Sequence, residues 1–215
     1  MATDKAFKVG IIIGSRRVVR VGPQIASFVH DIIKNAEEKA ASPRRTVTFD
    51  VVDLKAVDLP FFDEPGIPQR IQSADGYAHE HTRAWSRRVA ALDAFVFVTP
   101  QRNWSFPAEL KNALDFLFHE WAGKPAMIVS YGGHGGHQCA EQLRAVLRAM
   151  RVRVTEKSVG FAFPDPDFRT KCFNGQELGL DASNDAGPWA AQRSEVVSAW
   201  DELVKALEEG PESKA

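Results

Sequence analysis

The segment DAFVFVTPQRNWSFPAELKNALDF (residues 93–116) joins an apolar run to a polar loop and then to a helical pattern. Its first part, 93–99, is a nearly continuous run of Val and Phe, which is typical of a parallel strand covered on both faces. Similar strand patterns lie at 7–13, 46–54, 125–131 and 152–161, the last of them weaker and suited to an edge strand. Helical patterns lie between and after them at about 23–40, 77–91, 107–119, 137–150 and 188–209. The alternation predicts an α/β fold: a doubly wound, five-stranded parallel sheet with helices on both faces.

A chain of 215 residues and 23.8 kDa fits one compact domain. We expect residues 1–215 to form a single domain with a core of about 6–161, a long loop at 163–188 and a C-terminal helix at about 188–209.

The charge balance excludes a general attraction for polyanions. The chain has 27 basic and 28 acidic side chains, so we expect no nucleic-acid partner and no membrane partner. The apolar run near the N-terminus is too short for a signal or membrane segment, and the two cysteines lie without metal-ligand spacing. His79 and His81 lack the usual helical zinc motif. We therefore expect a cytoplasmic protein without a metal site.

Three loops follow the carboxyl ends of the first, third and fourth strands, where open α/β sheets bind ligands. The first, GSRRVVRVGPQ (14–24), is neither a dinucleotide fingerprint nor a P-loop. It combines Ser15 and several arginines with Pro23 at a predicted helix start, and such a start binds anions. A monophosphate is the simplest ligand. A solvated turn with surface arginines is the alternative, and the position after the first strand favours phosphate.

The loop GGHGGHQ (132–138) places four glycines around His134. Glycines let backbone approach a flat ligand closely, so this loop suits a planar ring with carbonyl and nitrogen acceptors. A flexible turn without a ligand is the alternative. For His134, a positional role or exposure to solvent is favoured over a role as a catalytic acid.

The loop PQRNWSFP (100–107) supplies Pro100, Gln101, Asn103 and Trp104, which can bind the edge of a heteroaromatic ring and cover its side. Arg102 stands at the centre of this loop, where its side chain would face the ligand. Three loops that suit a phosphate and a ring together predict flavin mononucleotide (FMN).

The segments 14–26, 77–98 and 99–136 together resemble the NADPH-dependent FMN reductase family, and within it most closely the fungal NAD(P)H quinone reductases. The resemblance covers about residues 6–160 and is weak from 163 onward apart from the last helix. It implies a flavodoxin-like fold, non-covalent FMN, NADPH or NADH as electron donor, a homodimer, and reduction of quinones, free flavins or azo compounds.

The resemblance also implies site residues. Those matching the phosphate loop are Ser15, Arg17, Arg20, Pro23 and Gln24. Those matching the loop beside the flavin ring are Pro100, Gln101, Arg102, Asn103 and Trp104. Those matching the loop at the pyrimidine end are Ser130, Tyr131, Gly132 and Gly133. The substrate is expected beside Arg102, Trp104 and His134.

The predicted function is an NAD(P)H quinone reductase that works by ping-pong hydride transfer through flavin N5, with no catalytic side chain. Arg102 departs from the family, which usually has tyrosine there. One alternative is therefore a pathway-specific reductase in which Arg102 holds an anionic aromatic substrate. Another is a flavin redox-sensing module with slow turnover. An electron carrier like flavodoxin is disfavoured, because such carriers have a hydroxyl-rich phosphate loop.

The helix from about 107 gives an additional indication of a dimer. One apolar stripe runs along it, and Phe116, Phe118 and Trp121 add apolar surface off that stripe. A second apolar face often marks a partner.

Overall fold

A computed structural model describes residues 5–39 and 45–210. Within those residues, six strands form one sheet in the order β2-β1-β3-β4-β5, with β6 also paired to β4. The strands are β1 (Lys5–Ile13), β2 (Arg45–Asp53), β3 (Ala94–Pro100), β4 (Pro125–Gly132), β5 (Arg153–Val154) and β6 (Val159–Ala162). Every pairing between them is parallel. The predicted α/β fold with a parallel sheet is confirmed.

The predicted fifth strand, 152–161, is two short strands rather than one. β5 pairs with the start of β4 and β6 with its end, so the sheet has six strands. The polar residues 155–158 between them lie outside the sheet, because they form hydrogen bonds with side chains of other elements. The buried guanidinium of Arg144 donates to the Thr155 carbonyl and the Ser158 hydroxyl, and Glu202 accepts from the backbone N–H of Glu156.

Seven α-helices lie in the described residues: α1 (Gly22–Lys39), α2 (Leu54–Val57), α3 (Glu80–Ala90), α4 (Ala108–Asp115), α5 (His137–Ala149), α6 (Pro166–Asn174) and α7 (Gln192–Glu209). Two 3₁₀ turns occur at Pro68–Arg70 and Ala74–Gly76. None of these helices is long and apolar enough to cross a membrane.

The sheet separates two apolar clusters because side chains alternate between its faces. Ile11 and Ile13 pack on the same side as α1 and α7, whereas Ile12 packs on the side of α3, α4 and α5. Helices therefore cover both faces, as the sequence predicted. The order of strands places the ends of β1, β3 and β4 side by side, where the three loops emerge.

The segment 163–188 contains helix α6, so the prediction of an unbroken long loop is wrong. The Asp165 carboxylate accepts from the backbone N–H of Phe168 at 2.7 Å, and Pro166 occupies the first turn. Gly175 ends the helix in a left-handed conformation. These are ordinary N-terminal and C-terminal helix signals.

Helix α4 ends at Asp115, earlier than predicted. Phe116, Leu117 and Trp121, which follow it, are fully buried against β3 and α3 together with Leu110 and Leu114 of α4. The chain itself therefore covers Phe116 and Trp121, so these two side chains do not mark a partner surface, whereas Phe118 is only half-buried.

Candidate functional site

A cavity of about 300 Å³ opens at the carboxyl ends of β1, β3 and β4. Nine of the predicted site residues line it: Ser15, Arg17, Arg20, Pro100, Gln101, Arg102, Tyr131, Gly132 and Gly133. Six further residues complete it: Val19, Val21, Phe163, Arg169, Cys172 and Phe173. The structure thus brings the three loops together at one cavity.

Arg20 organises the first loop through two contacts. Its guanidinium forms a bidentate pair with the Asp53 carboxylate, with one N–O distance of 2.7 Å, and also donates to the Ser15 carbonyl. The hydrogen bond from Arg20 holds the pKa of Asp53 below its usual value. Because a carboxylate already neutralises Arg20, its main role in this structure is to shape the loop around the buried Ser15.

Arg102 is directed at the first loop. One guanidinium nitrogen donates to Glu109 Oε1 and the other to Ser15 Oγ, both at 2.7 Å. The same Glu109 oxygen accepts the backbone N–H of Arg16 at 3.0 Å. Burial raises the pKa of Glu109, but these bonds from Arg16 and Arg102 outweigh it and the net shift is downward. Arg102 Nε is buried and has no hydrogen-bond partner among the described residues.

The loop after β3 makes a two-residue turn at Asn103 and Trp104. Both residues have positive φ, 47° and 65°, and the backbones of Arg102 and Ser105 exchange hydrogen bonds of 2.8 and 2.9 Å across it. This is the pattern of a type I′ turn. The Trp104 side chain is 63% exposed, and neither Asn103 nor Trp104 lines the cavity. Any contact they make with a ligand would occur at its mouth.

Gln101 connects the second and third loops. Its backbone N–H donates to the Tyr131 carbonyl at 2.9 Å, and its side-chain oxygen accepts from the Cys139 N–H at 3.2 Å. The start of α5 is therefore capped from within the chain. Burial raises the pKa of the Cys139 thiol to about 12, so this cysteine stays protonated and unreactive near neutral pH.

Ser130 holds the loop after β4 together and is not available to a ligand. Ser130 is buried and donates to the Gly135 carbonyl at 2.8 Å. Gly136 has φ of 79°, and a Cβ there would lie 2.8 Å from that of Ser130. By contrast, a Cβ on Gly133 would meet no atom within 4 Å. The Gly132–Gly133 backbone is thus the part of this loop that a flat ligand can approach. His134 is exposed and does not line the cavity.

Pro23 and Gln24 belong to the first turn of α1 and do not line the cavity. The Gln24 amide donates to the Gln176 carbonyl at 3.0 Å and accepts from the Leu178 N–H at 2.9 Å. Gln24 therefore holds the chain that follows α6.

Sequence reasoning missed the contribution of α6. Arg169, Cys172 and Phe173 are spaced i, i+3 and i+4, which places them on one face of that helix, and all three line the cavity. The helix signals around Asp165 and Gly175 could have revealed the helix. Its position over the cavity depends on contacts that have no local sequence pattern.

The residues of the cavity fit FMN. Among the described residues, four arginines and no acidic residue line it, together with the Ser15 hydroxyl and the open Gly132–Gly133 backbone. A phosphate monoester needs the positive charge and a flat polar ring needs the open backbone. At the first loop Gly14 is required for packing, because a Cβ there would lie 2.9 Å from Thr99 Oγ1.

Three proteins are similar to this chain in sequence. An NAD(P)H-dependent FMN reductase of Saccharomyces cerevisiae is 52% identical over 150 residues, 69% of this chain and 77% of that protein. One of Schizosaccharomyces pombe is 40% identical over 209 residues, 96% and 94% of the two chains. A probable NADPH:quinone oxidoreductase of Oryza sativa is 40% identical over 149 residues, 67% and 68%.

The fold is shared with the flavoenzyme NAD(P)H:(acceptor) oxidoreductase FerB of Paracoccus denitrificans. The two structures superpose with a TM-score of 0.63 over 95% of this chain and 99% of that one, at 17% identity. Residues 7–164 match the family described as NADPH-dependent FMN reductase. This protein therefore belongs to the NADPH-dependent FMN reductase family, as the three loops had indicated.

Proposed function

We propose that this protein is an FMN-dependent NAD(P)H oxidoreductase that reduces quinones and other small aromatic acceptors. The observation that carries the proposal is the cavity where the three loops meet, whose lining in the described part of the chain has four arginines and no carboxylate. Family membership supports FMN as cofactor and NADPH or NADH as donor. The name of the rice relative supports a quinone as acceptor.

Different groups of this chain would bind the two ends of the cofactor. The Ser15 hydroxyl and the Arg17 guanidinium would bind the phosphate, and Gln101 with the Gly132–Gly133 backbone would orient the ring. When bound, FMN supplies hydride acceptance and donation. Backbone N–H donors stabilise charge that gathers at a reacting centre, and each is worth about 3 kcal/mol in the best-studied cases. No side chain needs to act as a nucleophile.

Absorbance and transient kinetics test the proposal. Apoprotein titrated with FMN should develop a bound-flavin spectrum. NADPH or NADH should then bleach it in stopped flow, and a quinone should restore it over many turnovers. Protein that ignores FMN would refute the proposal. Rapid reduction followed by slow reoxidation with every quinone would favour the redox-sensing alternative.

A variant at Gly133 tests the ring site without disturbing the fold. Because a Cβ at this position meets no atom within 4 Å, Gly133→Val should fold normally. The added side chain should nevertheless weaken binding of both FMN and riboflavin if the ring lies against this backbone. His134→Ala, one residue away and outside the cavity, is the control and should bind both as the wild type does.

Two further properties belong to the proposal. A reducing, cytoplasmic location agrees with Cys139 and Cys172, which are free and buried. A homodimer is proposed from the family resemblance, and exposed apolar side chains such as Phe61 offer surface for it.

A further inference from the structure

Three arginines in and beside the first loop are neutralised within the chain. Arg16 pairs with Asp58, Arg20 with Asp53 and Arg102 with Glu109. Arg17 also lines the cavity, and it is the only arginine of this loop whose side chain forms no hydrogen bond or ion pair with a described residue. A phosphate monoester carries a charge of about −1.5 to −2 near neutral pH. One free guanidinium leaves that charge only partly compensated.

A second free guanidinium lies on α6. The side chain of Arg169 lines the cavity and forms no hydrogen bond or ion pair with any residue that the structure describes. No carboxylate from residues 5–39 or 45–210 lines the cavity to compete for it. Arg17 and Arg169 together supply about two positive charges, which matches a phosphate.

Helix α6 holds Arg169 in place through contacts on both sides of it. Phe168, the preceding residue, is buried with its ring 5.1 Å from that of Trp189. At the C-terminal end, Gly175 packs so closely on the first loop that a Cβ would lie 3.0 Å from the Val19 side chain. Gln24 holds the next residues through its two amide bonds. The helix is thus fixed against the loop that carries Arg17.

We propose that Arg169 binds the phosphate of FMN together with Arg17, so that α6 covers the phosphate end of the cofactor. The proposal rests on the proposed function and adds a binding residue to it. Arg169 lies beyond residues 7–164, the part of the chain that matches the family, so the family match does not supply this assignment.

Comparing FMN with riboflavin isolates the phosphate, because the two ligands share the ring and differ in that group. Dissociation constants for apoprotein would be measured by flavin fluorescence quenching. Arg169→Ala should weaken FMN binding about 10- to 100-fold, the range for losing a hydrogen bond to a charged group, with riboflavin affected less than twofold. Arg169→Lys keeps the charge and should lose less.

The control is Lys171→Ala, which removes an exposed positive charge from the same helix at a position outside the cavity. It should leave both dissociation constants within twofold of wild type. Arg17→Ala should cause a similar loss of FMN affinity. Increasing salt should reduce the preference for FMN over riboflavin, and this reduction should be steeper in the wild type than in either arginine variant.

Three results would overturn the inference. The first is equal weakening of FMN and riboflavin by Arg169→Ala, which would mean that the ring site or the fold was damaged. The second is unchanged FMN binding together with unchanged KM values for NADPH and NADH. The third is unchanged FMN binding with a raised KM for NADPH but not NADH, which would assign Arg169 to the nucleotide's extra phosphate. If wild-type protein binds neither flavin, the proposed function itself fails, and that outcome is distinct from these three.

Discussion

Arg102 connects the second loop to the first, and its guanidinium is neutralised by Glu109. This geometry gives little support to an anionic substrate held by Arg102. One terminal nitrogen of the Arg102 guanidinium already donates to the Glu109 carboxylate at 2.7 Å, and the other donates to the Ser15 hydroxyl. Arg102 therefore supports the phosphate loop, and we infer that it influences FMN binding more than acceptor choice.

Replacing Arg102 tests that inference. Arg102→Met should weaken FMN binding several-fold, because Ser15 loses its partner and Glu109 keeps a half-buried charge without its cation. The ratio of kcat/KM for neutral and anionic quinones should stay within about twofold of wild type. In the double variant with Glu109→Gln, part of the lost FMN affinity should return. A large drop confined to anionic quinones would instead restore the specialised-substrate alternative.

The pair of Asp53 and Arg20 predicts a pH dependence of stability. Because the folded pKa of Asp53 is held below its unfolded value of about 3.9, its contribution is present above that pH. It is lost as the pH falls through the folded pKa. Asp53→Asn should therefore reduce the free energy of unfolding by about 1 to 2 kcal/mol at pH 6.

Urea denaturation of both proteins between pH 2.5 and 6 measures this effect. The difference between wild type and Asp53→Asn should shrink below about pH 4. Asp201→Asn, at an exposed position on α7, is the control and should show a small difference throughout. A gap that stays constant across the range would contradict the assigned role of the Arg20 contact.

At the scale of elements, the turn at Asn103 and Trp104 stores backbone strain beside the cavity. A tryptophan with φ of 65° is unusual, because bulky side chains are disfavoured in the left-handed region. Its side chain is mostly exposed, so packing explains little of this choice. We infer that Trp104 is kept for contact with a ligand at the mouth of the cavity.

Glycine at this position tests the inference. Trp104→Gly should raise the free energy of unfolding by about 1 kcal/mol relative to Trp104→Ala, because glycine adopts positive φ without a steric cost. Both variants should lower kcat/KM for quinones to a similar extent if the indole contacts the acceptor. Thermal melts and steady-state kinetics measure the two effects. Full activity in both variants would contradict the inference that Trp104 contacts the acceptor.

At the scale of the whole molecule, the proposed homodimer needs an exposed apolar surface, which the buried Phe116 and Trp121 do not provide. Phe61 is 88% exposed although its neighbours are held firmly: Asn112 donates to the Pro60 carbonyl at 2.7 Å and accepts from the Phe62 N–H at 2.9 Å. An exposed aromatic side chain on a segment that is held in this way suits an interface.

Sedimentation equilibrium at micromolar concentration should give about twice the chain mass of 23.8 kDa. Phe61→Asp should raise the dimer dissociation constant at least tenfold, because a charge would be buried in an apolar interface. Val51→Asp, on the edge strand β2, where charge is tolerated, should leave it unchanged. A wild-type monomer under these conditions would contradict the dimer.

The sequence by itself determined the class of fold and the position of the site. Continuous Val, Ile and Phe runs require a strand buried on both faces, and parallel strands bring their carboxyl ends to one edge. The loops after 13, 99 and 131 were therefore expected to meet, and they do. The motifs of those loops also sufficed to predict the family.

Only the tertiary structure decided which arginines stay free for a ligand. Arg20 matches the phosphate loop in sequence and Arg102 the loop beside the flavin ring, yet Asp53 and Glu109 neutralise them from 33 and 7 residues away. Likewise, Arg169 reaches the cavity only because α6 packs on the first loop. Ion pairing and helix docking depend on distances between side chains in the folded chain, and local sequence patterns do not encode those distances.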